Sequence, residues 1–158
     1  MSAPVIELDR DKAHPQAREA LTDAFFWDLA DPCGPFGDET AREVLEALRD
    51  FRVAEPRGNV LALLGELLEE WEVADEVQAV GADDELGLLL RDEAIIALAF
   101  AQIIVEGRVL DEVRRRAVLA LTRQALPALT HGFGDRASKR RAHVDRMRAV
   151  LAAWRNAS

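Results

Sequence analysis

Asp84 to Glu106 reads DELGLLLRDEAIIALAFAQIIVE, and this stretch decides the fold. From Leu86 onward its apolar residues fall on nearly every face of a helix. A surface helix carries one apolar stripe, whereas a helix apolar all round belongs inside the molecule. The most apolar part, Ala94 to Val105, contains Gln102 and is well short of the roughly 20 residues that cross a bilayer. The stretch therefore predicts a buried helix at about 84–106. The rest of the chain reads as the shell that covers it.

That shell is expected to be helical as well. Ala, Leu, Glu and Arg dominate, tyrosine is absent and β-branched residues are scarce, which favours helix over strand. After a loose segment over 1–13, Pro15 stands in the first turn of a short helix from His14 to Leu21. Thr22 caps a second short helix to Leu29, and Asp31-Pro32 stops it. Thr40-x-x-Glu43 is a capping box for Ala41 to Val53, where Val44, Leu45, Leu48 and Phe51 keep helical spacing. Asn59 caps Val60 to about Glu72, with Leu61, Leu64, Leu68 and Trp71 as its stripe.

Beyond the central helix, Gly107 is a stop and Asp111 a cap for Glu112 to about Ala125. Pro127 breaks that helix. His131-Gly-Phe-Gly134 turns the chain, and Asp135 opens a last helix, Arg136 to Arg155. Its inward stripe is Val144, Met147, Val150, Leu151 and Trp154, opposite Lys139, Arg140 and Arg141. No repeat or long linker divides the chain. The expectation is an all-α protein: a single compact domain over 1–158, with about six or seven helices around the buried one.

Composition narrows the function classes. At 158 residues, 49% apolar and 31% charged, the chain is long and apolar enough to fold around its own core. One cysteine permits no internal disulfide, and no Cys/His spacing suggests zinc. The start, MSAPVIELDRDK, lacks the basic-then-apolar order of a secretion signal, so the expected location is the cytoplasm, with no membrane association. A net charge of −9 argues against general nucleic-acid binding. The charge is unevenly spread. Residues 112–158 hold eleven Lys and Arg against three Asp and Glu, net +8, and residues 1–111 carry net −17. Either the basic helices dock on the acidic body of their own domain, or they present a face to a partner.

Four groups of residues merit a chemical reading. Asp23, Asp28, Asp31 and Asp38 surround an aromatic segment; Asp28 and Asp31, three apart, suit a hard cation, but aspartates at element ends also cap backbone. Cys33 beside Gly34 is a nucleophile only if the fold brings His14, His131 or His143 to it; otherwise it is a small buried apolar residue. Glu66-x-x-Glu69 and Glu72-x-x-Asp75 echo the magnesium-holding pairs of all-α nucleotide pyrophosphohydrolases. The two pairs are too close in sequence to face each other, so a magnesium site needs Glu66 and Glu69 to meet Asp92 and Glu93. Finally, Asp92 and Glu93 enter the buried helix beside Arg91 and need cations, for which Arg114, Arg115, Arg116, Arg140 and Arg141 are available.

One segment also carries a resemblance. His14-Pro-x-Ala-x-Glu-x-Leu-Thr-Asp-x-Phe-Phe-Trp-Asp28, then Asp31, then Pro35-Phe36-Gly37, is similar to the start of the bacterial YfeS-like proteins, over residues 14–52 and more weakly through Asp92–Ile96. The chain departs from that pattern at Pro32, where the pattern has an acid, and in a shorter run after Gly37. The resemblance implies a hallmark segment, with Asp23, Phe26, Trp27, Asp28, Asp31, Phe36 and Asp38 as its binding candidates. It implies no activity.

Phe25, Phe26 and Trp27 are consecutive, so they cannot all face one side of a helix. Phe26, Trp27 and Phe36 are expected to be buried, with the aspartates bonded to backbone N–H groups or arginines. With no complete catalytic set, the expected function is a non-enzymatic protein-interaction or regulatory module with a protein partner and no cofactor. The rival is the magnesium-dependent hydrolase.

Overall fold

A computed structural model describes residues 7–73 and 85–156, apart from the side chains of residues 85–88 and 128. Among these the chain is all-helical and forms one compact domain. Its α-helices are α1 (Pro15–Ala20), α2 (Glu39–Ala54), α3 (Val60–Glu70), α4 (Glu85–Glu106), α5 (Asp111–Gln124), α6 (Pro127–Thr130) and α7 (Ala137–Ala153). Short 3-10 turns occupy Arg10–Lys12, Ala24–Phe26 and His131–Arg136. Among the described residues, the one strand-like contact is an isolated antiparallel bridge between Glu7 and Asp28.

The buried stretch behaves as its all-round apolarity requires. Every residue from Ala94 to Ile104 is buried, Gln102 included. α2 and α5 pack along α4, α1 and α3 touch it from further sides, and α7 lies on α5. Gln102 is tolerated because its Oε1 accepts the Leu110 N–H at 2.9 Å, satisfying a backbone donor just past the helix end. Gly107 has φ +69, the left-handed turn that glycine takes most easily, and any Cβ there would strike the His14 ring.

Several boundaries differ from expectation, each for a local reason. The N-terminal segment is not loose from Glu7 onward. Leu8 and Ala13 are buried, and the Leu8 N–H bonds the Trp27 carbonyl at 2.8 Å. The helix expected over Thr22–Leu29 is only a single 3-10 turn, because packing of its aromatic residues outweighs local propensity. α2 starts at Glu39, capped by Asp38, so Thr40 lies inside the helix, and Glu43 instead accepts the Trp71 indole N–H at 3.4 Å.

On α3 the buried face is Val60, Leu63, Leu64, Leu67 and Leu68, while Leu61 and Trp71 lie at its edge. Asp111 and Asp135 cap nothing: Leu110 and Arg136 hold those cap positions without a side-chain bond. The last helix ends at Ala153, and Asn156 then ties the terminus to the α4–α5 connection by bonding Val109 N–H and C=O at 2.9 and 2.8 Å. No described helix is long and apolar enough to cross a membrane.

Candidate functional site

The aromatic segment around residues 23–38 folds into a corner wedged between α4 and α7. Phe26, Trp27 and Phe36 are fully buried. Phe26 meets Phe100 of α4 at 5.3 Å between ring centroids. Trp27 turns its indole N–H onto the Leu21 carbonyl at 2.8 Å, so its one polar atom is satisfied inside the core. Phe25, the residue that cannot share that face, lies half-buried and stacks on His143 of α7 at 3.9 Å.

The aspartates are anchors. Asp28 accepts from Ala30 N–H at 2.8 Å, and Asp38 from Ala41 N–H at 2.7 Å as the N-cap of α2. Asp23 reaches Arg146 at 3.3 Å. Asp31 is buried and makes the densest set: Cys33 N–H at 2.9 Å, Lys139 Nζ at 3.2 Å and His143 Nε2 at 3.2 Å. Burial alone would raise its pKa. The Cys33 N–H, Lys139 and His143 together outweigh that and hold the carboxyl below its ordinary value. Gly37 closes the loop so tightly that an added Cβ would lie 1.6 Å from the Asp31 carbonyl oxygen.

Cys33 is fully buried, and burial followed by the Asp31 charge pushes its thiol pKa up. Its Sγ sits 4.0 Å from the Arg136 carbonyl and makes no hydrogen bond to a histidine among the described residues. A protonated, enclosed thiol is a poor nucleophile. The segment brings His143 nearby, but that ring is engaged by Asp31 and Phe25.

Asp92 and Glu93 part company. Asp92 is 1% exposed and is gripped by Arg123 at 2.6 and 3.0 Å and by Gln124 at 3.0 Å. Neither partner was among the cations singled out from the sequence. Arg123 stands one helical turn before the Pro127 break, in the last turn of α5. Glu93 instead lines a cavity of about 20 Å³, room for one water molecule, with Asp38 and Arg140. Its pKa is pushed up to about 7, first by burial and then by the charge of Asp38, with Asp92 adding and Arg140 opposing.

Arg140, expected on the outer face of α7, is buried and donates to the Cys33 carbonyl at 3.0 Å. Its Nε has no hydrogen-bond partner among the described residues, and burial lowers its pKa against the pull of nearby anions.

The magnesium set is not assembled. Glu66 and Glu69 lie on the exposed face of α3, Asp92 is consumed by Arg123, and Glu93 faces the Arg140 cavity. Among the described residues, no three His, Cys, Asp or Glu side chains are grouped to hold a metal ion. Asp75, of the second pair, lies outside the described residues.

The corner's chemistry is thus cohesion: its polar groups cap local backbone or reach α7, and its contact with α4 is aromatic. The free polar surface is elsewhere, on the outer side of α7 and in the turn before it. There Arg136 and Arg141 are exposed and make no ion pair among the described residues, while Lys139 and Arg146 lean back onto Asp31 and Asp23. Comparison with protein-family models, with curated proteins and with solved structures finds no match.

Proposed function

We propose that this protein is a non-enzymatic interaction module that meets an acidic protein partner through the outer face of α7. The observation that carries this reading is the division of labour among the basic residues. Those on the inner edge of the C-terminal half are neutralised by the body: Arg123 by Asp92, Lys139 by Asp31, Arg146 by Asp23. The proposal draws on both alternatives left open by the charge asymmetry: one side of α7 docks on the body, and the other is left for a partner. Arg136 and Arg141 are left over, with Ser138 and Ala142 exposed between and beside them, and Arg141, Ser138, Ala142 and Asp145 line an open concavity of about 340 Å³. Such a patch steers an acidic surface and sets its register. The kinship of residues 14–52 with the YfeS-like proteins belongs to the same proposal, as an account of the shared corner and not of an activity.

The test compares the native protein with Arg136→Glu/Arg141→Glu as baits in the native host, together with titration of a fluorescent acidic peptide. The reading requires that one captured protein and the peptide are both lost on charge reversal, and that peptide binding weakens as salt rises. It fails if the captured set is unchanged by the double variant, or if a DNA duplex displaces the acidic peptide from the same residues.

A further inference from the structure

A second positively charged feature lies in the acidic half of the chain, far along α4 from the corner. The α2–α3 turn and the α4–α5 turn border an open cleft of about 430 Å³, within the range of small-molecule sites. Its charged lining is Arg52, Arg57, Arg108 and Glu106, with Asn59 and Gln102 beside them. Three guanidinium groups around one cleft, in a part of the sequence with net charge −17, run against the local composition.

The four charged groups are not equivalent. Arg52 and Glu106 form a partly buried ion pair at 2.6 Å and cancel. Arg52 also donates to the carbonyls of Glu55, Pro56 and Gly58, at 3.1, 3.2 and 2.9 Å, so it staples the α2–α3 turn from within. Arg57 and Arg108 have no such duties. Both are exposed and neither makes an ion pair among the described residues. Glu106, already neutralised, is the only acid lining the cleft among those residues.

Both free arginines spring from fixed backbone. Arg57 follows Pro56 and precedes Gly58, where an added Cβ would lie 2.6 Å from the Phe51 ring. Arg108 follows Gly107, held against His14. Placing two like charges on one cleft costs repulsion in the empty protein, and an anion between them relieves it. Planar guanidinium forks match the oxygens of a phosphoryl group, and rigid launching points reduce the entropy lost on binding. The cleft also has more room than a bare phosphate needs.

We propose that this cleft binds a small phosphate-bearing molecule, with Arg57 and Arg108 clamping the phosphoryl oxygens and Arg52 positioning the turn. The proposal is independent of the α7 interface and survives its failure.

Amide spectra of the full chain, titrated with inorganic phosphate, pyrophosphate and adenosine monophosphate, test it. Saturable shifts are expected at residues 57–61 and 108–110. Arg57→Gln and Arg108→Gln should each weaken pyrophosphate binding about tenfold or more, from loss of a charge-assisted bidentate contact, with the helical circular-dichroism signal unchanged. Arg141→Gln on α7 should leave the affinity alone. Tighter binding of the nucleotide than of pyrophosphate would assign an organic phosphate, and equal binding would assign the phosphoryl group alone. The proposal is overturned if no probe saturates at millimolar concentration in low salt, or if Arg141→Gln weakens binding as much as Arg57→Gln.

Discussion

Asp92 and Glu93 are neighbours on one helix, both acidic, and the fold treats them in opposite ways. Asp92 turns toward α5 and is held by three hydrogen bonds from Arg123 and Gln124. Glu93 turns toward the aromatic corner, where Arg140, which shares its cavity, spends a donor on the Cys33 carbonyl and leaves Nε without a hydrogen-bond partner among the described residues. The α5 side is a finished ion pair. The corner side keeps a water-sized gap and a carboxyl that ionises only near neutral pH. The difference teaches that burial of charge is not one condition: the same desolvation is harmless where donors are complete and costly where they are not.

Breaking the finished pair should have the largest effect. Arg123→Met keeps the aliphatic stem but strands the Asp92 charge with Gln124 alone. A stability loss of about 3 kcal/mol is expected in urea melts at pH 7. Adding Asp92→Asn to that variant should restore part of the loss, because a neutral amide tolerates the site. If Arg123→Met costs nothing, the pair is too wet to matter, and the contrast with Glu93 collapses.

The Asp92 side shows how far the sequence could be read. The need for a cation was legible from an acidic pair entering an apolar helix; which arginine supplies it was not. Arg123 and Arg140 both sit in helices whose basic residues look alike in the sequence. Only the packing angle of α5 and α7 decides which of them turns inward. The central helix, the inward stripe of α7 and the Asn59 cap followed from periodicity and capping chemistry, which are local. The corner was legible as aromatic and buried, but its single 3-10 turn was not. A run of capping and aromatic residues specifies that the segment must be packed, and leaves its backbone to the surfaces it meets. The arginine cleft escaped the sequence reading entirely. Arg108 is separated from Arg52 and Arg57 by a whole helix pair, α3 and α4, and joins them only through the meeting of two turns.

The unfinished side gives a smaller effect of opposite sign. Glu93 has a folded pKa near 7 against an ordinary value of 4.5, so the folded state holds a proton that the unfolded state has lost between those values. Stability therefore falls as pH rises through this window, and the cost is fully present above pH 7. Glu93→Gln mimics the protonated carboxyl. It should stabilise the protein by about 1–2 kcal/mol at pH 8, after allowance for partial exposure, and change little at pH 4.5. Urea melts across pH 4.5–8 check this. A variant with the same pH slope as the native protein would show that Glu93 is not the titrating group.

Asp38 joins the two halves of the comparison, because it both caps α2 and raises the pKa of Glu93. Its two roles separate by substitution. Asn keeps a side-chain oxygen for the Ala41 N–H and removes the charge, whereas Ala removes both. Asp38→Ala should cost about 1 kcal/mol for the lost cap, slightly less at pH 8, where Glu93 gains relief from repulsion. Asp38→Asn should be neutral at pH 5 and stabilising by about 0.5 kcal/mol at pH 8, since only the ionised Glu93 feels the missing charge. The informative quantity is the pH dependence of the Asn variant and not its absolute stability. If Asp38→Asn behaves alike at both pH values, the carboxyls of Asp38 and Glu93 are screened from each other across the cavity, and the elevated pKa rests on burial and Asp92.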